Sequence, residues 1–176
     1  MKRFAAMAAL CLGPLAGAQQ RPDFSGEWRS AEDRATSVSA AGDAQFRRGE
    51  MGSGWGSTIR ITQRPDSLIL EYDFFSSYDL QPPIRLAYSM NGSESRQTVM
   101  IGHAGSEQRS RVSWRGDTLV VSTTYPAPKA ADGRAASAET VRTLNLESPT
   151  SLVVETTRVG VLGGATTTTK TVYTKR

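Results

Sequence analysis

Cysteine is almost absent: one occurs in 176 residues, Cys11, inside an N-terminal apolar run. One thiol makes no intramolecular disulfide, so stability must come from a packed core. Histidine is equally scarce. The single His103, between Gly102 and Ala104, reads as an exposed loop residue. With no second His or Cys beside it, zinc has no His/Cys ligand set. A serine triad would have to run through His103, and no Gly-x-Ser-x-Gly elbow accompanies it. The acidic residues lack calcium-loop spacing. Gly52, Gly54 and Gly56 lack the preceding strand, following helix and Lys-Ser/Thr of a phosphate-cradling loop. Glu71, Asp73 and Asp79 cluster in sequence, but Glu71 is out of phase with Leu70 and Tyr72 and so belongs to a solvated face. No metal, cofactor or catalytic group is expected. Long apolar runs are also missing, since the only strongly apolar stretch, Phe4 to Leu15, is too short to span a bilayer.

That stretch has another reading. Lys2-Arg3 is a basic start, Phe4 to Leu15 an apolar middle, and Ala16-Gly17-Ala18 a small-residue cleavage site. Residues 1–18 are therefore expected to be a secretory signal peptide cut after Ala18, sending the protein to the periplasm or outside the cell. No transmembrane segment is expected after cleavage. Lipid attachment at Cys11 is disfavoured by Leu10 before it, where a small residue is wanted. Loss of Lys2 and Arg3 halves the net charge from +4 to +2. Arg109, Arg111 and Arg115 recur with period two, the spacing of a strand's wet side, so no nucleic-acid partner is expected.

What the chain does have is alternation. Arg111-Val112-Ser113-Trp114, the turn Arg115-Gly116-Asp117 and Thr118-Leu119-Val120-Val121 read as a β-hairpin. The pattern recurs at Ile59 to Leu70 around Arg64-Pro65-Asp66, and at Leu144 to Val154 around Glu147-Ser148-Pro149-Thr150. Phe24, Gly26 and Trp28 share one face of a first strand. Ile84, Leu86, Tyr88 and Met90 mark another, followed by a turn at Asn91-Gly92. Val99 and Ile101 mark a short strand, and Gly102 to Gln108 reads as a polar turn. Thr140 to Leu146 pairs with Leu152 to Arg158, with a bulge expected between Val141 and Leu144, where the apolar phase changes. Thr166 to Lys175 is the last strand, its threonines favoured on a pleated surface. Residues 31–56 read as a long mobile connection, Asp73 to Pro83 as an aromatic loop, and Tyr125 to Ser137 as a flexible one.

Residues 19–176 therefore form one all-β domain, an antiparallel up-and-down meander closing into a barrel of about eight to ten strands. A sandwich competes. The hairpin-by-hairpin order, without long crossovers, favours the barrel.

The sequence resembles a lipocalin-like (calycin-type) secreted bacterial domain. The resemblance rests on Asp23-Phe24-Ser25-Gly26-Glu27-Trp28, on Tyr88 to Glu94, on Trp114 to Val121, and on Lys170-Thr171-Val172-Tyr173. It implies that Gly26 and Trp28 close the barrel floor beneath a basic side chain from the last strand, Lys175 or Arg176. It also implies noncovalent binding of a small hydrophobic or amphipathic molecule. Of the inward-facing residues, Ile61, Tyr72, Tyr88, Trp114 and Val121 are the candidate ligand contacts, by aromatic and aliphatic character. The alternative is a structural or protein-interaction domain with a solid core, displaying Trp55, Phe74, Phe75 and Tyr78 to a partner. A cofactor-free isomerase or hydrolase is the third reading, and it needs ionisable groups converging inside the barrel.

Overall fold

The structure is a computed structural model that describes residues 21–30, 53–72, 83–101, 104–126, 137–159 and 165–176. The expected leader, His103, most of the 31–56 connection and Phe74, Phe75 and Tyr78 lie outside the described residues.

Ten strands follow one another: β1 (Gly26–Ser30), β2 (Thr58–Gln63), β3 (Ser67–Tyr72), β4 (Ile84–Ser89), β5 (Ser95–Ile101), β6 (Ala104–Arg115), β7 (Thr118–Pro126), β8 (Ser137–Ser148), β9 (Ser151–Val159) and β10 (Thr167–Lys175). All pair antiparallel in one sheet of order β4-β3-β2-β1-β10-β9-β8-β7-β6-β5. The expected meander is therefore present, and the pairing of β1 with β10 wraps it into a nearly closed barrel. The seam falls between β4 and β5, which have no ladder between them. Side chains bridge it: Gln97 Nε2 donates to the Ala87 carbonyl at 2.5 Å, and the Ser89 amide to Ser95 Oγ at 2.8 Å.

The three sequence hairpins are those observed, with Gly116 at φ 60° in the β6–β7 turn. Tight turns at 64–66, 90–94, 116–117 and 149–150 gather at one end of the barrel, here called the floor. At the opposite end, the mouth, β1, β3, β7 and β9 finish and β2, β4, β8 and β10 begin. The core is one contiguous cluster, including Phe24, Trp28, Trp55, Ile59, Ile61, Leu68, Leu70 and Tyr173, all at most 2% exposed. Outward positions carry charge, as in the cross-strand file Glu27, Arg60, Glu71 and Arg85.

Three expectations need correction. Gly102 to Gln108 is not a turn throughout, because β6 already begins at Ala104 and pairs without a break from Ile101↔Ala104 to Ser95↔Ser110. Backbone pairing, not apolar pattern, holds that polar segment as a strand. The bulge expected between Val141 and Leu144 is also absent. The β8–β9 register runs unbroken from Glu139↔Val159 to Leu146↔Leu152, and the irregularity lies between Leu146 and Ser148. The phase never changes; polar residues simply occupy inward positions. Lastly, the end of the 31–56 segment is no free tether. Ser53 and Trp55 are buried at 2% and 1% exposure.

Candidate functional site

At the floor, Trp28 is fully buried, and its indole Nε1–H donates to the Phe24 carbonyl at 2.9 Å. Lys175 Nζ lies 5.2 Å from the Trp28 ring centroid, a cation–π geometry. A Cβ on Gly26 would stand 2.6 Å from Lys175 Cε, and φ there is +147°, so only glycine lets that side chain cross without strain. Arg176 instead pairs with Glu27 at 2.8 Å. Phe24 stacks on Trp114 at 6.0 Å, and Arg21 covers the same indole at 5.2 Å. Trp114 thus belongs to the floor rather than to the mouth.

The cross-strand registers sort the interior into rows. One row is Trp114, Leu119, Leu144, Val154 and Thr171; the next towards the mouth is Val112, Val121, Arg142, Thr156 and Thr169; above it come Ser110, Thr123, Thr140 and Arg158. Apolar side chains give way to hydroxyls and two guanidinium groups within two rows. The hydroxyls pair among themselves: Ser110 Oγ with Thr123 Oγ1 at 2.9 Å, and Tyr125 OH with Thr140 Oγ1 at 2.5 Å. Such pairing is what burial of polar groups requires.

Arg142 is the centre of this polar half. Its Nε–H donates to the Ser53 carbonyl at 2.8 Å, and its guanidinium lies 4.9 Å from the Trp55 ring centroid. Burial pushes its pKa below the usual arginine value, opposed by Tyr88, Tyr125, Tyr72 and Tyr173. An arginine stays charged regardless. The cation is half-buried, faces inward, and forms no salt bridge with any described carboxylate. Its neighbour Arg158 donates from Nη1 to Thr169 Oγ1 at 3.1 Å. Burial, then the like charge of Arg142, lowers the Arg158 pKa. Tyr88 and Tyr72 are raised by burial, with Arg142 opposing, so both phenols remain protonated donors at neutral pH.

Between the two arginines sits the turn 53–56. A Cβ on Gly54 would lie 3.1 Å from Arg142 Nη2 and 3.4 Å from Arg158 Nη2, with φ at +76°. Ser53 Oγ meets Tyr173 OH at 2.5 Å, and Tyr173 OH donates to the Gly56 carbonyl at 2.8 Å. Among the described residues, buried Trp55 Nε1 in this turn has no hydrogen-bond partner, and neither have Trp114 Nε1 and Thr171 Oγ1 in the apolar row. Chemically, the arrangement offers inward-facing positive charge, N–H and O–H donors, and an apolar belt beneath. Among the described residues, no three His, Cys, Asp or Glu side chains converge as metal ligands.

Of the sequence candidates, Ile61, Tyr88 and Val121 are buried in the core, and Tyr72 and Trp114 pack half-buried against it. Arg142, Arg158 and Tyr125 were not among them, and Trp55 entered only as a residue displayed to a partner. For the two arginines the signal was present: Thr140 and Arg142 are in phase with Leu144 and Leu146, and Arg158 with Leu152 and Val154. A concavity also lies outside the barrel, an open groove of about 520 Å³ lined by Glu27, Arg60, Glu71, Tyr72, Arg85 and Arg176 among others. Its charges are already matched in the pairs Arg176–Glu27, Arg60–Glu27 and Arg85–Glu71.

No family model matches the chain, and no curated protein matches it. Among solved structures it is similar to the crystal structure of secretory abundant heat soluble protein 4 from Ramazzottius varieornatus, at 16% identity over 86% of this chain and 94% of that one, with a TM-score of 0.49.

Proposed function

We propose that the protein is an exported, lipocalin-like barrel that binds a small amphipathic anion noncovalently, its apolar part against the belt and its charged group against Arg142. The observation that carries this reading is Arg142 itself. A guanidinium has five N–H donors, and among the described residues Nε–H alone finds an acceptor. Withdrawing such a charge even partly from water is unfavourable unless it is paired and hydrogen-bonded. One carbonyl and one indole face offset only part of that. A carboxylate, sulfate or phosphate ester would complete the set. The expected leader at residues 1–18 supports export.

The solid-core alternative draws on the complete burial of Ile59, Leu68, Leu119, Leu144 and Val154, which fill the belt with side chains. Against it, Trp55, one of its four proposed display residues, is buried.

Isothermal titration of the full chain with dodecanoate and with dodecanol tests the choice. Saturable dodecanoate binding, with dodecanol at least tenfold weaker and the preference lost in Arg142→Met, is the expected result. Equal affinity for both ligands, or an unchanged preference in Arg142→Met, would overturn the anionic part. Absence of binding by either ligand would favour the solid core.

A further inference from the structure

We propose that the turn 53–56 is a built-in occupant of the polar half, a latch that an incoming anion must displace to reach Arg142; this rests on the anion-binding reading above. Each contact of the turn is one that a bound molecule would make. The Ser53 carbonyl accepts from Arg142 Nε at 2.8 Å and from Thr156 Oγ1 at 3.5 Å, as a carboxylate oxygen would. The Trp55 ring lies against the guanidinium, and Ser53 Oγ and the Gly56 carbonyl both engage the Tyr173 hydroxyl. The turn also folds on itself, the Trp55 amide donating to Ser53 Oγ at 3.1 Å.

Two features make this seat releasable rather than permanent. Trp55 Nε1 is buried with no acceptor among the described residues, which costs the closed arrangement the desolvation of that group. Trp55 is also flanked by Gly54 and Gly56, both at φ +76°, so the backbone on either side rotates with little steric hindrance. The turn leads directly into β2 at Thr58, and the Ser30 amide holds the Ser57 carbonyl at 2.7 Å. That bond fixes the far side of the hinge to β1. The turn also covers the rest of the guanidinium, with the Trp55 ring over it and Gly54 so close that a Cβ there would stand 3.1 Å from Arg142 Nη2, so an anion reaching the remaining N–H groups has to move the turn aside. A ligand that needs an open latch binds with an affinity reduced by the open fraction.

The test labels the full chain with 5-fluorotryptophan, assigns Trp55 by Trp55→Phe, and reads the solvent isotope shift of its fluorine resonance while dodecanoate is added. In the wild type Trp55 is expected to be solvent-protected alone and solvent-exposed at saturation. Tyr173→Phe, which removes two bonds to the turn and keeps the ring, is expected to bind dodecanoate roughly three- to tenfold more tightly. Dodecanoate binding with Trp55 still protected overturns the latch and leaves the anion reading intact. Tighter or equal binding of dodecanoate by the wild type, relative to Tyr173→Phe, also overturns it. If neither protein binds dodecanoate, the anion reading itself fails and the latch with it. The wild-type fluorine measurement decides the matter even if the variant does not fold.

Discussion

Trp28 and Lys175 meet at one point and differ sharply in weight. The indole is fully buried and donates to Phe24, whereas the ammonium sits on an exposed strand end. Truncating a buried Trp removes its transfer energy and leaves a cavity, so Trp28→Ala is expected to lose about 3–5 kcal/mol in urea unfolding. Lys175→Ala removes a cation–π contact at an exposed site and is expected to lose at most about 1 kcal/mol. The opening of the chain also carries an acid sensitivity. Hydrogen bonds from the Ser25 side chain and backbone hold the Asp23 carboxyl below the usual aspartate range, and the Arg176 guanidinium does the same for Glu27. A depressed carboxylate pKa means the folded state binds fewer protons than the unfolded one. The stability these groups give is present above their ordinary values and lost as pH falls through the folded ones. Asp23→Asn is accordingly expected to flatten the loss of stability below about pH 4, measured as urea midpoint against pH. At this scale the sequence was readable for Trp28, whose neighbours alternate cleanly, and unreadable for Arg142. A charged residue is ordinarily solvated, and the inward phase set by Leu144 and Leu146 is outvoted there by Val141, which carries the apolar character of the other phase.

The strands show where that legibility came from and where it ended. Each hairpin with a polar turn between two aliphatic runs was visible, because alternation and turn chemistry point to the same register. β8 was misread in one respect: Val141 looked like the apolar member of a shifted phase. Fixing the phase by pairing Leu146↔Leu152 and counting back in twos puts Arg142 and Thr140 inside and Val141 outside. The start of β6 was missed because Ala104 to Gln108 has no apolar alternation to display. The β6–β7 pair also carries a prediction. Ser110 and Thr123 are both buried and satisfy each other at 2.9 Å. Thr123→Val strands the Ser110 hydroxyl and is expected to lose about 1–3 kcal/mol. Adding Ser110→Ala is expected to recover most of it, a coupling that a double-mutant cycle measures.

In the whole molecule, closure rests on β1 meeting β10, and among the described residues two side-chain bonds span the seam between β4 and β5. Backbone groups on the facing edges of those strands have no ladder partner, whereas β8 and β9 are paired on both sides. Hydrogen exchange should follow: seam-facing amides of β4 and β5 exchange at low opening free energy, and those of β8–β9 approach global stability. Uniform protection around the barrel would mean a closed ring. Barrel topology was legible because sequential hairpins leave few other arrangements. The sorting of the interior was not, since it appears only when four neighbouring registers are aligned. Its functional meaning depends on where a bound molecule's charge comes to rest. The most direct measurement is a nitrogen-15 spectrum of the Arg142 Nε–H resonance while dodecanoate with a nitroxide near its terminal methyl is added. If the charged group rests on Arg142, its Nε–H signal shifts and belt side chains such as Leu144 and Val154 show paramagnetic broadening. An unmoved Arg142 signal, with broadening confined to the outer groove at Arg60 and Glu71, would contradict that placement.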